Sequence, residues 1–155
     1  MKRAVTNRIE FQVEILFNTP AVTPCVEGVR LPDLLKAYER DSGFPDVGGY
    51  AGLVVSGFKY GPLNRYFLGQ PEKPDYWNEL GGIYLLGCGD CGDVGCWPLV
   101  CSVEQQGPNI VWNKFRQPHR PKWDYATFGP FVFSRESYTF ALENLAVDLA
   151  GLNCE

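Results

Sequence analysis

Residues 9–17 read IEFQVEILF, the most regular pattern in the chain. Ile9, Phe11, Val13, Ile15 and Phe17 alternate with polar residues over most of this stretch. Because successive side chains of a β-strand point to opposite faces, this period of two predicts a strand with one packed face and one face in water. Such one-sided burial is typical of antiparallel sheets.

Two amphipathic helices are predicted from apolar residues at helical spacing. The first covers residues 31–40, with Pro32 in its first turn. The second covers residues 134–151, with Ser134 as the candidate N-cap and Gly151 as the expected end. Both helices have one apolar stripe, so each is expected to pack against a sheet.

Short apolar or alternating runs between the helices predict further strands. These runs are residues 53–55, 83–86, 97–103, 110–115 and 131–133. A turn of helix is expected at residues 64–68, and the segment 18–30, which contains Pro20 and Pro24, is expected to be rich in turns. The sequence therefore predicts one α+β domain over residues 1–155, mainly antiparallel sheet with two or three helices packed on one face.

The amino-acid composition limits the classes of protein to which this chain can belong. The 155 residues are 45% hydrophobic and 21% charged, with a formal net charge of -4. This balance is typical of globular proteins, and without a basic run we expect no nucleic-acid binding. The chain has no apolar stretch of about 20 residues and no apolar core of a secretory signal near its start, so we expect no membrane insertion and a cytoplasmic location.

The segment 87–99 combines cysteine and glycine unusually densely. Cys88, Cys91 and Cys96 are spaced C-x2-C-x4-C, and four glycines lie between residues 87 and 95. A C-x2-C pair on a glycine-rich turn aims two sulfurs at one point, so these three cysteines are candidate zinc ligands. His119 or Cys25 could complete the set, whereas Cys101 is expected on the opposite face of the following strand.

Two other interpretations of this segment stay open. Free cysteines pack well as small buried hydrophobes, so the segment could be a tight glycine hairpin without a metal. A thiol enzyme is the second alternative, with Cys91 or Cys96 as nucleophile and His119 as its base. A thioredoxin-like role is disfavoured, because the helix that lowers the thiol pKa in those proteins is not predicted here.

A basic and aromatic segment follows at residues 112–125. Arg116, His119, Arg120 and Trp123 are its candidate binding residues, since guanidinium groups and indole rings are effective anchors for a protein partner or an anion. The alternative is structural: the prolines stiffen a long connection whose rings cover the edge of the sheet.

Four stretches together resemble a family of bacterial cytoplasmic proteins with no known activity. They are a Leu-Leu-Gly-Cys entry at residues 85–88, a Cys-Gly-x-x-Gly-Cys-Trp-Pro-Leu turn at 91–99, a Phe-x-Gln-Pro-His-Arg loop at 115–120 and a Gly-Pro-Phe-x-Phe strand at 129–133. The resemblance covers roughly the C-terminal half of the chain. It implies a bacterial intracellular origin and no particular reaction.

No established catalytic motif is present in the sequence. The sequence favours a non-enzymatic binding or interaction domain with a Cys-rich hairpin, for example an accessory or immunity-type protein that engages another protein. A small zinc-binding structural domain and a cysteine-dependent enzyme are the alternatives.

Overall fold

The computed structural model describes residues 6–73 and 82–152, which form an α+β domain built mainly of sheet. Cys154, one of the six cysteines, lies outside the described residues. All pairs of neighbouring strands are antiparallel, as predicted. The strands form two sheets.

The first sheet has the order β1-β2-β3, and β5 also pairs with β2. Its strands are β1 (Ile9–Leu16), β2 (Thr19–Val26), β3 (Val29–Arg30) and β5 (Leu53–Val54). Strand β1 confirms the alternating pattern at its start, where Ile9 and Phe11 are buried. Its far end differs, because Ile15 is 65% exposed. The predicted apolar stripe therefore covers the core over only half of its length.

The second sheet has the order β4-β6-β7-β8-β9. Its strands are β4 (Tyr50–Ala51), β6 (Ile83–Cys88), β7 (Leu99–Gln106), β8 (Asn109–Arg116) and β9 (Phe131–Ser134). The amide of Asn7 donates to the carbonyl of Val132 in β9, and Asn7 Oδ1 accepts from the amide of Val132. The residues that lead into β1 therefore connect the two sheets.

Strand β2 occupies residues for which the sequence predicts turns. It pairs along its whole length with β1, and Ala21 to Val26 are buried. Pro20 and Pro24 are four residues apart, so their missing N–H groups fall on the same edge of the strand. Because the other edge keeps its donors, the strand tolerates both prolines. The expectation of a turn-rich stretch was wrong here.

Three helices are present in the described residues: α1 (Leu31–Asp41), α2 (Leu63–Tyr66) and α3 (Arg135–Leu152). Ser134 caps α3 as predicted, because its hydroxyl accepts the amide of Ser137 at 3.1 Å. The helix continues through Gly151 rather than ending there. No helix in these parts of the chain combines the length and hydropathy needed to cross a bilayer.

Aromatic side chains form the centre of the core. Phe11 of β1 contacts Phe67, Trp112 and Tyr138, so rings from both sheets and α3 meet at one point. The indole N–H of Trp112 donates to the hydroxyl of Tyr138 at 3.1 Å, and that hydroxyl donates to the carbonyl of Phe67. The polar ends of these two fully buried rings are thus satisfied without water.

Candidate metal centre

The cysteine segment forms a compact loop between β6 and β7, which we call the knuckle (residues 88–96). Cys88 is the last residue of β6. Its carbonyl accepts the amide of Gly92 at 2.8 Å, and the carbonyl of Asp93 accepts the amides of Cys88 and Cys96 at 3.3 and 3.2 Å. These bonds fold the chain back on itself, so Cys91 and Cys96 return toward Cys88.

Three sulfur atoms converge as the sequence predicts. The Sγ atoms of Cys88, Cys91 and Cys96 all lie within 4.8 Å of one another. Cys88 is buried, whereas Cys91 and Cys96 are exposed. Within residues 6–73 and 82–152, no histidine nitrogen or carboxylate oxygen joins this group. The cluster therefore offers three soft ligands on one exposed side of the knuckle.

The other described cysteines lie elsewhere. Cys101 is fully buried in β7 and lies outside the sulfur group, whereas Cys96 precedes that strand. Cys25 is buried in β2, where its thiol donates a long hydrogen bond to the carbonyl of Thr23. Burial raises the pKa of Cys25 to about 11, so it stays a neutral thiol. Neither residue completes the ligand set.

Hydrogen bonds distinguish the three thiols of the knuckle. Burial acts to raise the pKa of Cys88, but the amides of Asp90 and Cys91 and the neighbouring thiols donate to its sulfur, and the net effect lowers the pKa. The contacts of Cys96 with Cys88 and Cys91 raise the pKa of Cys96 to about 11. Three thiolates this close repel one another, and a bound dication removes that repulsion.

Two glycines allow the knuckle to pack against its surroundings. Gly92 has a φ of 78°, and a Cβ atom at this position would lie 3.1 Å from a methyl group of Val54. Gly89 donates its amide to the carbonyl of Gly49 at 2.7 Å, and a Cβ there would lie 3.1 Å from the same oxygen. Larger residues would push the loop away from both neighbours.

The predicted binding segment supports one side of the knuckle. The imidazole Nε2 of His119 lies 2.6 Å from the carbonyl oxygen of Gly95, to which it donates a hydrogen bond because a carbonyl can only accept. Arg120 stacks on Trp97 and Trp123, with its guanidinium carbon 4.8 and 5.9 Å from the ring centroids. The structure thus brings His119, Arg120 and Trp123 together beside the knuckle.

Arg116 makes different contacts from the other three predicted binding residues. Its guanidinium donates to the carbonyl of Lys114 at 3.0 Å and lies close to the backbone of Gly82. Burial lowers the pKa of Arg116, while the nearby Cys101 acts in the opposite direction. Its position indicates a structural contact with the core of the second sheet.

A buried polar network near the knuckle has no local signal in the sequence. Glu39 of α1 is fully buried and accepts hydrogen bonds from the amide of Gly48 at 2.8 Å, from Tyr50 at 3.0 Å and from Tyr125 at 2.6 Å. The carbonyl of Gly48 in turn accepts the indole N–H of Trp97 at 2.9 Å. This network joins α1 to the residue that directly follows Cys96.

The chain was compared with protein families, with curated proteins and with solved structures. No family model matches the chain, and no curated protein or solved structure is significantly similar to it.

Proposed function

We propose that this protein is a small zinc-binding domain in which Cys88, Cys91 and Cys96 hold one Zn²⁺ as thiolates. The observation that carries the proposal is the convergence of the three sulfurs within 4.8 Å. In a tetrahedral site with Zn–S bonds of about 2.3 Å, neighbouring sulfurs lie about 3.8 Å apart. A small inward movement of the side chains is enough to reach that separation.

Exposure favours a metal over a simple glycine hairpin. Free cysteines are typically buried and pack as small hydrophobes. That explanation suits Cys88, but Cys91 and Cys96 are exposed and gain little from packing. Two exposed thiols directed at a third, buried one are better explained as ligands.

The chemistry of the ligands favours zinc over harder ions. Calcium and magnesium prefer oxygen ligands, whereas thiolates select zinc, copper(I) or iron–sulfur clusters. In established metal sites, hydrogen bonds from outside the ligand set orient each ligand. The amides that donate to the sulfur of Cys88 supply such hydrogen bonds here. With three ligands from the described residues, the fourth tetrahedral position is left for water or another molecule.

Metal analysis of the purified chain tests the proposal. We expect one zinc ion per chain after reconstitution under reducing conditions, and loss of that zinc in a Cys88→Ser variant. Cys25→Ala is the matched control, because it removes a buried thiol outside the knuckle and should retain the metal. Circular dichroism of each variant confirms that the fold is intact.

Cobalt(II) provides a second measurement that does not depend on the zinc content of the cells. Cobalt bound to thiolates absorbs in the near ultraviolet, and its visible bands report tetrahedral geometry. Wild-type protein with zinc content below about a tenth of an equivalent and no such cobalt spectrum would contradict the proposal.

Partner binding through the predicted segment is a second candidate function. The supporting observation is the guanidinium of Arg120, which two indole rings and the carbonyl of His119 hold in place while it remains exposed. A pre-positioned cation of this kind suits an acidic protein surface. A pull-down with wild type and Arg120→Ala tests this role: a partner that both chains retain equally would count against it.

A further inference from the structure

A groove with a volume of about 420 Å³ lies directly beside the knuckle. Its lining includes Cys91 and residues 92–94 of the knuckle, Phe17 of the turn between β1 and β2, and Val54 of β5. Small-molecule sites in proteins range from about 300 to 1,000 Å³, so the groove has the size for a compact organic ligand. Cys91, one of the three candidate ligands, is among its lining residues.

The lining of the groove indicates the chemistry of such a ligand. Phe17, which is 51% exposed, contributes an apolar ring, and Val54 and Phe58 add further apolar surface. Lys59 also lines the groove, and its ammonium lies 5.7 Å from the ring centroid of Tyr60. No carboxylate within the described parts of the chain forms an ion pair with Lys59. The groove therefore combines apolar walls with the cation of Lys59 and the carboxylate of Asp93, which already accepts the amide of Gly95 at 2.7 Å.

We propose that this groove binds a small apolar mercapto acid, whose sulfur takes the fourth position on the metal and whose carboxylate pairs with Lys59. This inference rests on the proposed zinc-binding function, because the sulfur needs a metal with an open position. A site that already has three thiolates is soft and prefers a fourth soft ligand. The apolar body of the ligand then covers Phe17 and Val54.

The binding step is a ligand exchange without oxidation or reduction. The thiol of the ligand loses its proton to the buffer, its sulfur forms a bond to the metal, and the water that held the fourth position leaves. Coordination favours this ionisation because a bound metal stabilises the thiolate.

Titration of the cobalt(II)-loaded protein with 2-mercapto-3-phenylpropanoate tests the proposal. We expect the sulfur-to-cobalt absorption to increase by the contribution of one additional Co–S bond, with cobalt still bound after desalting. 3-Phenylpropanoate, which lacks the thiol, should cause no increase. 2-Phenylethanethiol, which lacks the carboxylate, should bind more weakly than the mercapto acid.

Two variants assign the binding to the groove. Lys59→Gln should weaken binding of the mercapto acid about threefold, as expected for a partly solvated ion pair, and leave 2-phenylethanethiol unaffected. Lys36→Gln on α1 is the matched control and should change neither ligand. Ser56→Trp places a large side chain at the exposed lining residue Ser56 and should abolish binding while preserving the three-thiolate cobalt spectrum.

The outcomes separate this inference from the function on which it rests. A three-thiolate cobalt spectrum that the mercapto acid leaves unchanged would overturn the ligand and leave the metal site intact. The absence of any cobalt–thiolate spectrum would overturn the metal site itself. Removal of cobalt by the mercapto acid, or equal binding in the Ser56→Trp variant, would show that the groove does not hold the ligand.

Discussion

Glu39 is a carboxylate with no exposed surface, held by three donors that come from distant parts of the chain. Burial of a polar group is costly unless each of its atoms finds a partner. Here both carboxylate oxygens accept hydrogen bonds, and the hydroxyl of Tyr50 also accepts from the amide of Gln117 at 3.3 Å. A single acidic side chain thus joins α1 to two loops next to the knuckle.

Replacing Glu39 with Gln tests how much this network contributes. The amide keeps the size of the side chain but presents an NH₂ group to donors, so at least one hydrogen bond is lost inside the core. We expect the free energy of unfolding to fall by about 1–3 kcal/mol in urea titrations. Glu143→Gln, at an exposed position of α3, is the control and should change stability by less than about 0.5 kcal/mol. Equal stability of the two variants would contradict the role of Glu39.

At the scale of elements, the knuckle depends on a backbone conformation that favours glycine. Gly92→Ala forces a side chain into a left-handed conformation and against Val54. We expect a loss of about 1–2 kcal/mol in stability and weaker zinc binding, measured by urea titration and by competition with a metal indicator. Gly95→Ala in the same loop is the control for the backbone conformation, because the φ of Gly95 is not positive and its added Cβ would meet only the side-chain oxygen of Asp93, at 3.3 Å. Similar losses in both variants would mean that the strain at Gly92 is unimportant.

The first sheet contains an ion pair between its strands. Glu14 of β1 accepts from Arg30 of β3 at 2.8 and 2.9 Å and from the hydroxyl of Thr23 in β2. The hydrogen bond from Arg30 is the largest influence and lowers the pKa of Glu14, although burial opposes it. Because the folded pKa lies below the unfolded value of about 4.3, the pair stabilises the fold above that pH.

The pH dependence of Glu14→Gln follows from this shift. Wild type should be more stable than the variant at neutral pH, and the difference should shrink as the pH falls from about 4.3 through the lower pKa of the folded state. Urea titrations over this range measure the difference, with Glu10→Gln on the same strand as the control. A difference between wild type and Glu14→Gln that persists unchanged in acid would contradict an ionic origin.

Local patterns in the sequence predicted most elements of this fold. They failed where contacts with residues far away in the sequence determine the structure. Alternation identified β1, and helical spacing together with Ser134 identified α3. Strand β2 was missed because Pro20 and Pro24 favour turns, and only pairing with β1 and β5 shows that the strand can accommodate them. The end of α3 was also misplaced, since a glycine near the end of a helix does not oblige it to stop.

At the scale of the whole molecule, the same distinction applies to the candidate site. The three cysteines lie within nine residues, so their convergence could be predicted from spacing and glycine content alone. The contact of Glu39 with Tyr125 joins residues 86 positions apart, and no local pattern signals it. The groove beside Cys91 likewise requires the first sheet to lie against the knuckle, which only the tertiary structure reveals.

The knuckle contacts both halves of the molecule, so a bound metal should stabilise more than the loop itself. Gly89 donates its amide to the carbonyl of Gly49, while Gly92 lies against Val54 and Phe17. Zinc that binds the folded chain in preference to the unfolded one stabilises it by about 2.7 kcal/mol at a hundredfold excess of free zinc over the dissociation constant. The melting temperature should therefore rise with buffered free zinc and fall with a chelator, as measured by calorimetry. The melting temperature of Cys88→Ser should change with neither zinc nor chelator. A wild-type melting temperature that also stays constant under both treatments would exclude a stabilising metal.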